Sequence, residues 1–406
     1  MEAKKSQLAI IFVTVFLYLV GFGVVIPITP ILAKNFGATG FQVGLLLSVY
    51  SFMQFLFAPF WGRLSDRYGR RPILLFCLVC ECLSYIAFGL ARSYETLFLA
   101  RMFAGFFGAS ISTASAYISD ITPPEERSKG MALIGAAFGL GFLIGPALGG
   151  GLALWGSKIS SEPHFDTSFA AYCVSALCLV NFLFGLKFLK ESLTERTPHQ
   201  EQTNRFQRLS RYLGQGLMGR LIAVFFFTSL AMSTMEATLV LFVGDRFGWT
   251  VKEVSFGFAY IGLIMIISQG FLVRRLLPRV GEKKMLVMGL SMMSAGLCLI
   301  AASSTIWILA LSQTLLAFGF SFTNPSTMGS ISLLANPKEQ GEVLGTTQGT
   351  ASLGRIIGPA AGGWIYQHVG ITSPFLTGGL IAMVALGIVL AHLPQLPNSA
   401  LKARTT

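Results

Sequence analysis

Charge is in short supply in this chain. Of 406 residues only 18 are Asp or Glu and 30 are Lys or Arg, 12% together, against 53% hydrophobic residues and a mean hydropathy of +0.67. So few charges cannot cover a water-soluble domain of this size, and the solvent for most of the surface must be lipid. Histidine is scarcer still. His164, His199, His368 and His392 fall in loops or at the ends of apolar spans, far from a nucleophile or a ligand cluster, which argues against a membrane enzyme. The six cysteines, Cys77, Cys80, Cys82, Cys173, Cys178 and Cys298, all lie in apolar spans, so a disulfide framework is not expected. The Cys77 and Cys80 spacing lacks the second pair or histidine that a metal site needs. No glycine-lysine phosphate loop occurs, so nucleotide hydrolysis is not expected to drive this chain. Neither metal nor cofactor is expected.

What is present is a series of apolar runs, each near the 20 residues that cross a hydrocarbon core as helix. They fall at roughly 8–33, 41–61, 73–91, 96–119, 129–155 and 168–189, and again at roughly 220–243, 253–273, 285–302, 306–333, 342–367 and 371–393. The expected fold is an all-α membrane protein of twelve transmembrane helices in two pseudo-symmetric six-helix bundles, residues 1–189 and 220–406, joined by a polar linker, 190–219. The first run is too long for a removable signal and is expected to remain as helix one. In the linker, Arg205, Arg208 and Arg211 recur at helical spacing, which suits either a solvated loop or contact with anionic membrane lipid.

The formal charge of +12 raises the question of nucleic acid, and the placement of the cations answers it. With the N-terminus inside, 23 of the 30 fall in cytoplasmic segments, while only Lys34, Arg92, Lys158, Arg246 and Lys252 fall outside. That asymmetry puts both termini in the cytoplasm. No contiguous soluble stretch carries enough charge to bind nucleic acid.

Two segments 213 residues apart are near copies. The first has Pro124, Glu126, Gly141, Gly145, Pro146, Gly149 and Gly150; the second has Pro337, Glu339, Gly354, Gly358, Pro359, Gly362 and Gly363. Internal repeats in a polytopic chain mark transporters whose substrate site lies between the repeats. Glycines four apart let two helices approach at backbone distance, and a proline removes a hydrogen bond and bends the span. Packing alone also accounts for the pattern.

Between spans two and three stand Gly62, Asp66, Arg67, Gly69, Arg70 and Arg71. This loop resembles the signature of the major facilitator superfamily. A weaker copy after span eight keeps Arg279, Gly281, Lys283 and Lys284 but has Pro278 for the aspartate. Within that superfamily, Gly141 to Gly150 looks like the span-five motif of drug:proton antiporters, and Gly21, Pro27, Ile28 and Pro30 resemble span one of twelve-span exporters. Asp120 to Arg127 and Gly135 to Gly150 are similar to tetracycline efflux proteins. Two departures stand out. Span four keeps Leu97, Arg101 and Gly105 but has Ala104 where a glutamine is usual, and span one has no aspartate, which argues against tetracycline and its magnesium chelate as cargo.

The resemblance implies a cytoplasmic gate in which Asp66 approaches the N-terminus of span eleven, where the macrodipole favours an anion, and Arg70 pairs with Asp120. The loop read by itself is equally a topological anchor. It further implies that spans one, four, seven and ten line a cavity while three, six, nine and twelve stand outside.

Charges within spans cost roughly 2.5–3.5 kcal/mol each at the bilayer centre and ask for a reason. Four are candidates for proton coupling or substrate binding: Glu236 in span seven, Arg355 in span eleven where the first repeat has Phe142, Arg101 in span four and Glu81 in span three. A carboxyl removed from water holds its proton until a cation comes near, so an acid–arginine couple can take a proton from one side and release it to the other. The cavity ranking favours Glu236 and leaves Glu81 as an acid bonded within its own helix. Gln54, Gln269, Gln313, Asn324 and Gln348 serve a cavity or helix packing equally well, and 35 Phe and 14 Met suit an apolar ligand or lipid.

The expected function is export of hydrophobic or amphiphilic, including cationic, small molecules in exchange for protons, by a monomer in a bacterial cytoplasmic membrane. A lipid or lysolipid transporter, a proton-coupled importer of sugars or other metabolites, and a membrane sensor that binds without transporting remain as rival readings.

Overall fold

The computed structural model describes residues 2–108, 110–122, 127–160, 162, 164–193, 205–336 and 339–396. Pro124, Glu126 and Pro337 of the repeats, and 194–204 of the linker, lie outside these residues. The helices are α1 (Glu2–Asn35), α2 (Gly40–Tyr68), α3 (Arg70–Gly89), α4 (Tyr94–Phe107), α5 (Ser110–Ile121), α6 (Arg127–Ile159), α7 (Phe165–Phe188), α8 (Arg205–Leu213), α9 (Gly216–Phe247), α10 (Val251–Ile267), α11 (Arg274–Val280), α12 (Glu282–Ala301), α13 (Ile306–Leu334), α14 (Gln340–His368) and α15 (Ser373–Ala391). No strand occurs among the described residues.

Eleven spans among the described residues are long and apolar enough to cross a membrane. Two are composite. The fourth, Tyr94–Ile121, joins α4 and α5 across a break at Gly108, and the eighth, Val251–Val280, joins α10 and α11 through a π-turn at Ser268–Val273. The remaining helix of spanning length, α14, has 29 residues, and its glycines, threonines and Arg355 keep it less apolar than the others. This twelve-element series matches the runs read from the sequence, because each run is bounded by residues that end helices. Ser93 caps α4 through a reciprocal pair of bonds with Thr96, and Gly69 and Gly281 precede α3 and α12 at φ 108° and 79°, where an L side chain would be strained.

The described contacts divide the chain into two units. The first comprises 1–39, 49–200 and 243–262; the second comprises 40–48, 201–242 and 263–406. In the first, Ile11, Val15 and Leu19 of α1 pack with Leu74 and Leu78 of α3, Tyr117 and Ile118 of α5 and Ala137 of α6. In the second, Leu221 and Ile222 of α9 pack with Leu286 and Leu290 of α12, Ile331 of α13 and Val389 of α15. Outward faces are apolar as well: Phe52, Phe76, Leu83, Leu183, Phe256, Leu263 and Leu380 are all exposed. A chain with greasy surfaces on its rim and hydroxyls in its core is arranged for lipid rather than for water.

Candidate functional site

The glycines of each repeat hold one helix against another. In the first unit a Cβ added at Gly145 of α6 would lie 2.6 Å from the Cα of Gly23 and 2.8 Å from the Val20 carbonyl of α1, while Gly141 abuts Leu19 and Gly149 abuts Val24. In the second unit, a Cβ at Gly358 of α14 would lie 3.0 Å from the Leu230 carbonyl and 2.8 Å from the Ser233 Cβ of α9, while Gly354 abuts Leu230 and Gly362 abuts Thr234. The repeats therefore make the same seam twice, α6 on α1 and α14 on α9. Positions 20, 23 and 24 of α1 correspond to 230, 233 and 234 of α9.

Carried two residues further, that register makes Ile26 the counterpart of Glu236, as the repeat makes Phe142 the counterpart of Arg355. The first repeat thus has two apolar residues, Ile26 and Phe142, where the second has an acid and a base. Glu236 is half-buried and sits within electrostatic reach of Arg355, which is also half-buried and donates from Nη2 to the Ser352 hydroxyl at 2.9 Å. The hydroxyls of Thr234 and Thr238 on either side bond back to the Leu230 and Thr234 carbonyls, each at 2.9 Å, and so satisfy themselves. An acid and a guanidinium on two helices that meet at backbone distance can exchange charge for a proton with little movement.

Arg101 and Glu81 belong to the first unit. Arg101 is 2% exposed, with its guanidinium 4.6 Å above the Tyr50 ring. Glu81 is fully buried, and its carboxyl makes no hydrogen bond within α3 or to any other described residue, contrary to the reading of an acid satisfied by its own helix. The local bonds go elsewhere, Ser84 to the Cys80 carbonyl at 2.8 Å and Ser175 of α7 to the Cys82 carbonyl at 3.0 Å. Gln54 is a packing residue, donating 2.7 Å to the Gly108 carbonyl at the break between α4 and α5.

The loop residues converge on Arg70. Its Nε donates to Asp120 Oδ2 at 3.0 Å and its Nη1 to the Ser65 hydroxyl at 2.7 Å, while Asp66, one turn back, completes an ion pair. Arg71 donates to the Leu186 carbonyl at 2.8 Å, Arg67 lies over Tyr68 and Gly62 has open space beside it. Sequence reasoning missed Glu191. Its carboxylate accepts from the backbone N–H groups of Arg70 at 2.8 Å and Arg71 at 3.1 Å, capping α3 where Gly69 offers no side chain. Ser192 adds a bond to Asp120 Oδ2 at 3.0 Å. Nothing but an acid at the start of the linker hinted at this. Among the described residues, no three His, Cys, Asp or Glu side chains gather as a metal site would require.

Comparison with known proteins gives these seams a context. The sequence model of the Major Facilitator Superfamily matches residues 11–281 and 270–406. The chain is 31% identical over 374 residues to the class H tetracycline resistance protein of Pasteurella multocida, covering 90% of each, and 30% identical over 394 residues to multidrug resistance protein 2 of Bacillus subtilis, covering 95% of each. A crystal structure of a human organic anion transporter superposes with a TM-score of 0.71 at 25% identity, over 95% of this chain and 99% of that one.

Proposed function

The chain belongs to the Major Facilitator Superfamily, and on that premise we propose that it exports amphiphilic small molecules across a bacterial cytoplasmic membrane in exchange for protons. The observation that carries the reading is the interaction of Glu236 on α9 with Arg355 on α14, present where the first repeat has Ile26 and Phe142. Relatives named for tetracycline and multidrug resistance support a drug-like cargo. Residues 1–189 and 220–406 act as two moving bundles, with both termini cytoplasmic in keeping with the distribution of lysine and arginine. A second reading, an anionic amphiphile as cargo, is favoured by the likeness to an organic anion transporter.

Inverted vesicles carrying the protein are expected to take up a cationic amphiphilic dye when their interior is acidified, and to lose it on adding a protonophore. Uptake that survives collapse of all ion gradients would sink the reading. Uptake of an anionic dye in place of the cationic one would establish the second.

The Arg70 cluster is the cytoplasmic lock in this reading. Arg70→Ala strips Asp120 and Asp66 of their shared cation, and hydrogen bonds to charged groups are worth about 1.5–3 kcal/mol each. In this reading the bonds form in one of the two forms only, and because about 1.4 kcal/mol changes a ratio tenfold, the balance between inward- and outward-open forms should shift by at least that factor. Asp66→Asn, at a more exposed position, should shift it less. Cysteine accessibility on the two faces reads the ratio. Both variants should transport more slowly with the same preference among compounds, and a changed preference at parental accessibility would remove the loop from the gate.

A further inference from the structure

Glu81, on α3, is an acid whose surroundings the exchange at Glu236 leaves unexplained. Both of its carboxyl oxygens are buried without a hydrogen-bond partner among the described residues, as are Nε and Nη1 of Arg101 on α4 and the hydroxyl of Tyr85 one turn along α3. The two charges interact, yet the guanidinium is spent on the face of the Tyr50 ring rather than on the carboxylate. Burying an acid and a base without a hydrogen bond between them is unfavourable for whichever form carries the charge. An arrangement that costly marks a working group more often than a scaffold.

The rest of the cluster is built around this gap. From α1 comes Tyr18, hydrogen-bonded to the Tyr50 hydroxyl at 2.8 Å and to the Gly108 carbonyl at 3.0 Å. From α2 comes Tyr50, admitted by Gly105 and Gly108, where a Cβ would meet its backbone and its hydroxyl. From α7 comes Cys178, which with Tyr18 of α1, Tyr85 of α3 and Arg101 of α4 makes up the titratable groups in electrostatic reach of Glu81. Span four is broken at this level, and broken helices at depth in a membrane protein are tolerated where they serve a site. A small cavity lined by Thr14, Tyr18, Leu74, Leu78 and Ile111 reaches the same tyrosine.

We propose that Glu81 is a second proton-binding site, in the first unit, whose charge state Arg101 reads by moving between the Tyr50 ring and the carboxylate. With a proton on the carboxyl, the guanidinium rests on the aromatic face, as the structure has it. When the proton leaves to water, the carboxylate draws Arg101 across the gap. The step transfers one proton and no electrons, and its counter-charge is Arg101 itself. The proposal rests on the proton-coupled reading above but assigns the proton to a different helix from Glu236.

Two measurements test it. In proteoliposomes with a gradient of one pH unit, each coupled proton is worth a factor of about ten in accumulation, so Glu81→Gln should accumulate dye about tenfold less than the parent while still binding it. Accumulation equal to the parent's overturns the proposal. A parent that accumulates nothing refutes proton coupling as such, and the second measurement then decides on Glu81 alone. Dicyclohexylcarbodiimide reacts with protonated carboxyls in apolar surroundings, and mass mapping of the labelled parent protein needs neither a variant nor transport. An adduct at Glu81 that declines as pH rises, and changes when dye is added, supports the site. Absence of any Glu81 adduct from acid to alkaline pH overturns it, including in the event that Glu81→Gln does not fold.

Discussion

Glu236→Gln is expected to fold, bind its cargo and exchange it downhill, yet to lose the accumulation that one proton drives. The substitution removes a charge and almost no volume, and the glycine seam beside it is untouched, so stability should change by less than about 1.5 kcal/mol. Coupling is another matter. One proton crossing 100 mV supplies about 2.3 kcal/mol, enough for an accumulation ratio of about fifty. Without an acid near Arg355, cargo and proton no longer compete at α9 and α14, and the ratio should fall by about that factor. Dye accumulation in inverted vesicles, set beside binding by fluorescence titration, separates the two effects. Undiminished proton-driven accumulation would make Glu236 a structural residue.

The largest loss of stability should come from Gly145→Val. Its side chain would be driven into the backbone of α1 at Gly23 and Val20, which cannot turn away as a side chain can. Overpacking of this kind typically costs about 1–3 kcal/mol, and a backbone obstacle puts the cost at the upper end or beyond. Gly151→Val, six residues further along α6, is the matched control, since a Cβ there meets nothing within 4 Å. Gly358→Val should repeat the effect at α9 in the second unit. Thermal melts followed by fluorescence-detected size-exclusion read all three, and equal melting of the Gly145 and Gly151 variants would refute the backbone seam.

Helix count and type were legible in the sequence because a lipid-facing helix must announce itself with a long apolar run, and the doubled glycine motif declared which spans pack closely. Which helix each glycine faces was not legible. A four-residue spacing says that one face is smooth, and only the contacts with Gly23 and Ser233 say where the partner lies. The couple at Glu236 and Arg355 emerged from counting charges within spans. Glu81 was discounted by its place on span three, because a rank of helices does not reveal that Tyr18, Tyr85 and Arg101 come within electrostatic reach of that acid. Glu191 was invisible for a different reason. A capping carboxylate more than a hundred residues from the helix it caps leaves no local pattern.

That distant cap has a mechanical consequence. The chain leaving α7 is fastened by Glu191 to the first two amides of α3 and by Ser192 to Asp120 before the linker begins its passage to the second unit. Tension in the linker is therefore borne by the fastening and not by α7. Load and lock are in series: a pull that drags Glu191 from α3 strains, in the same motion, the carboxylate that Arg70 holds.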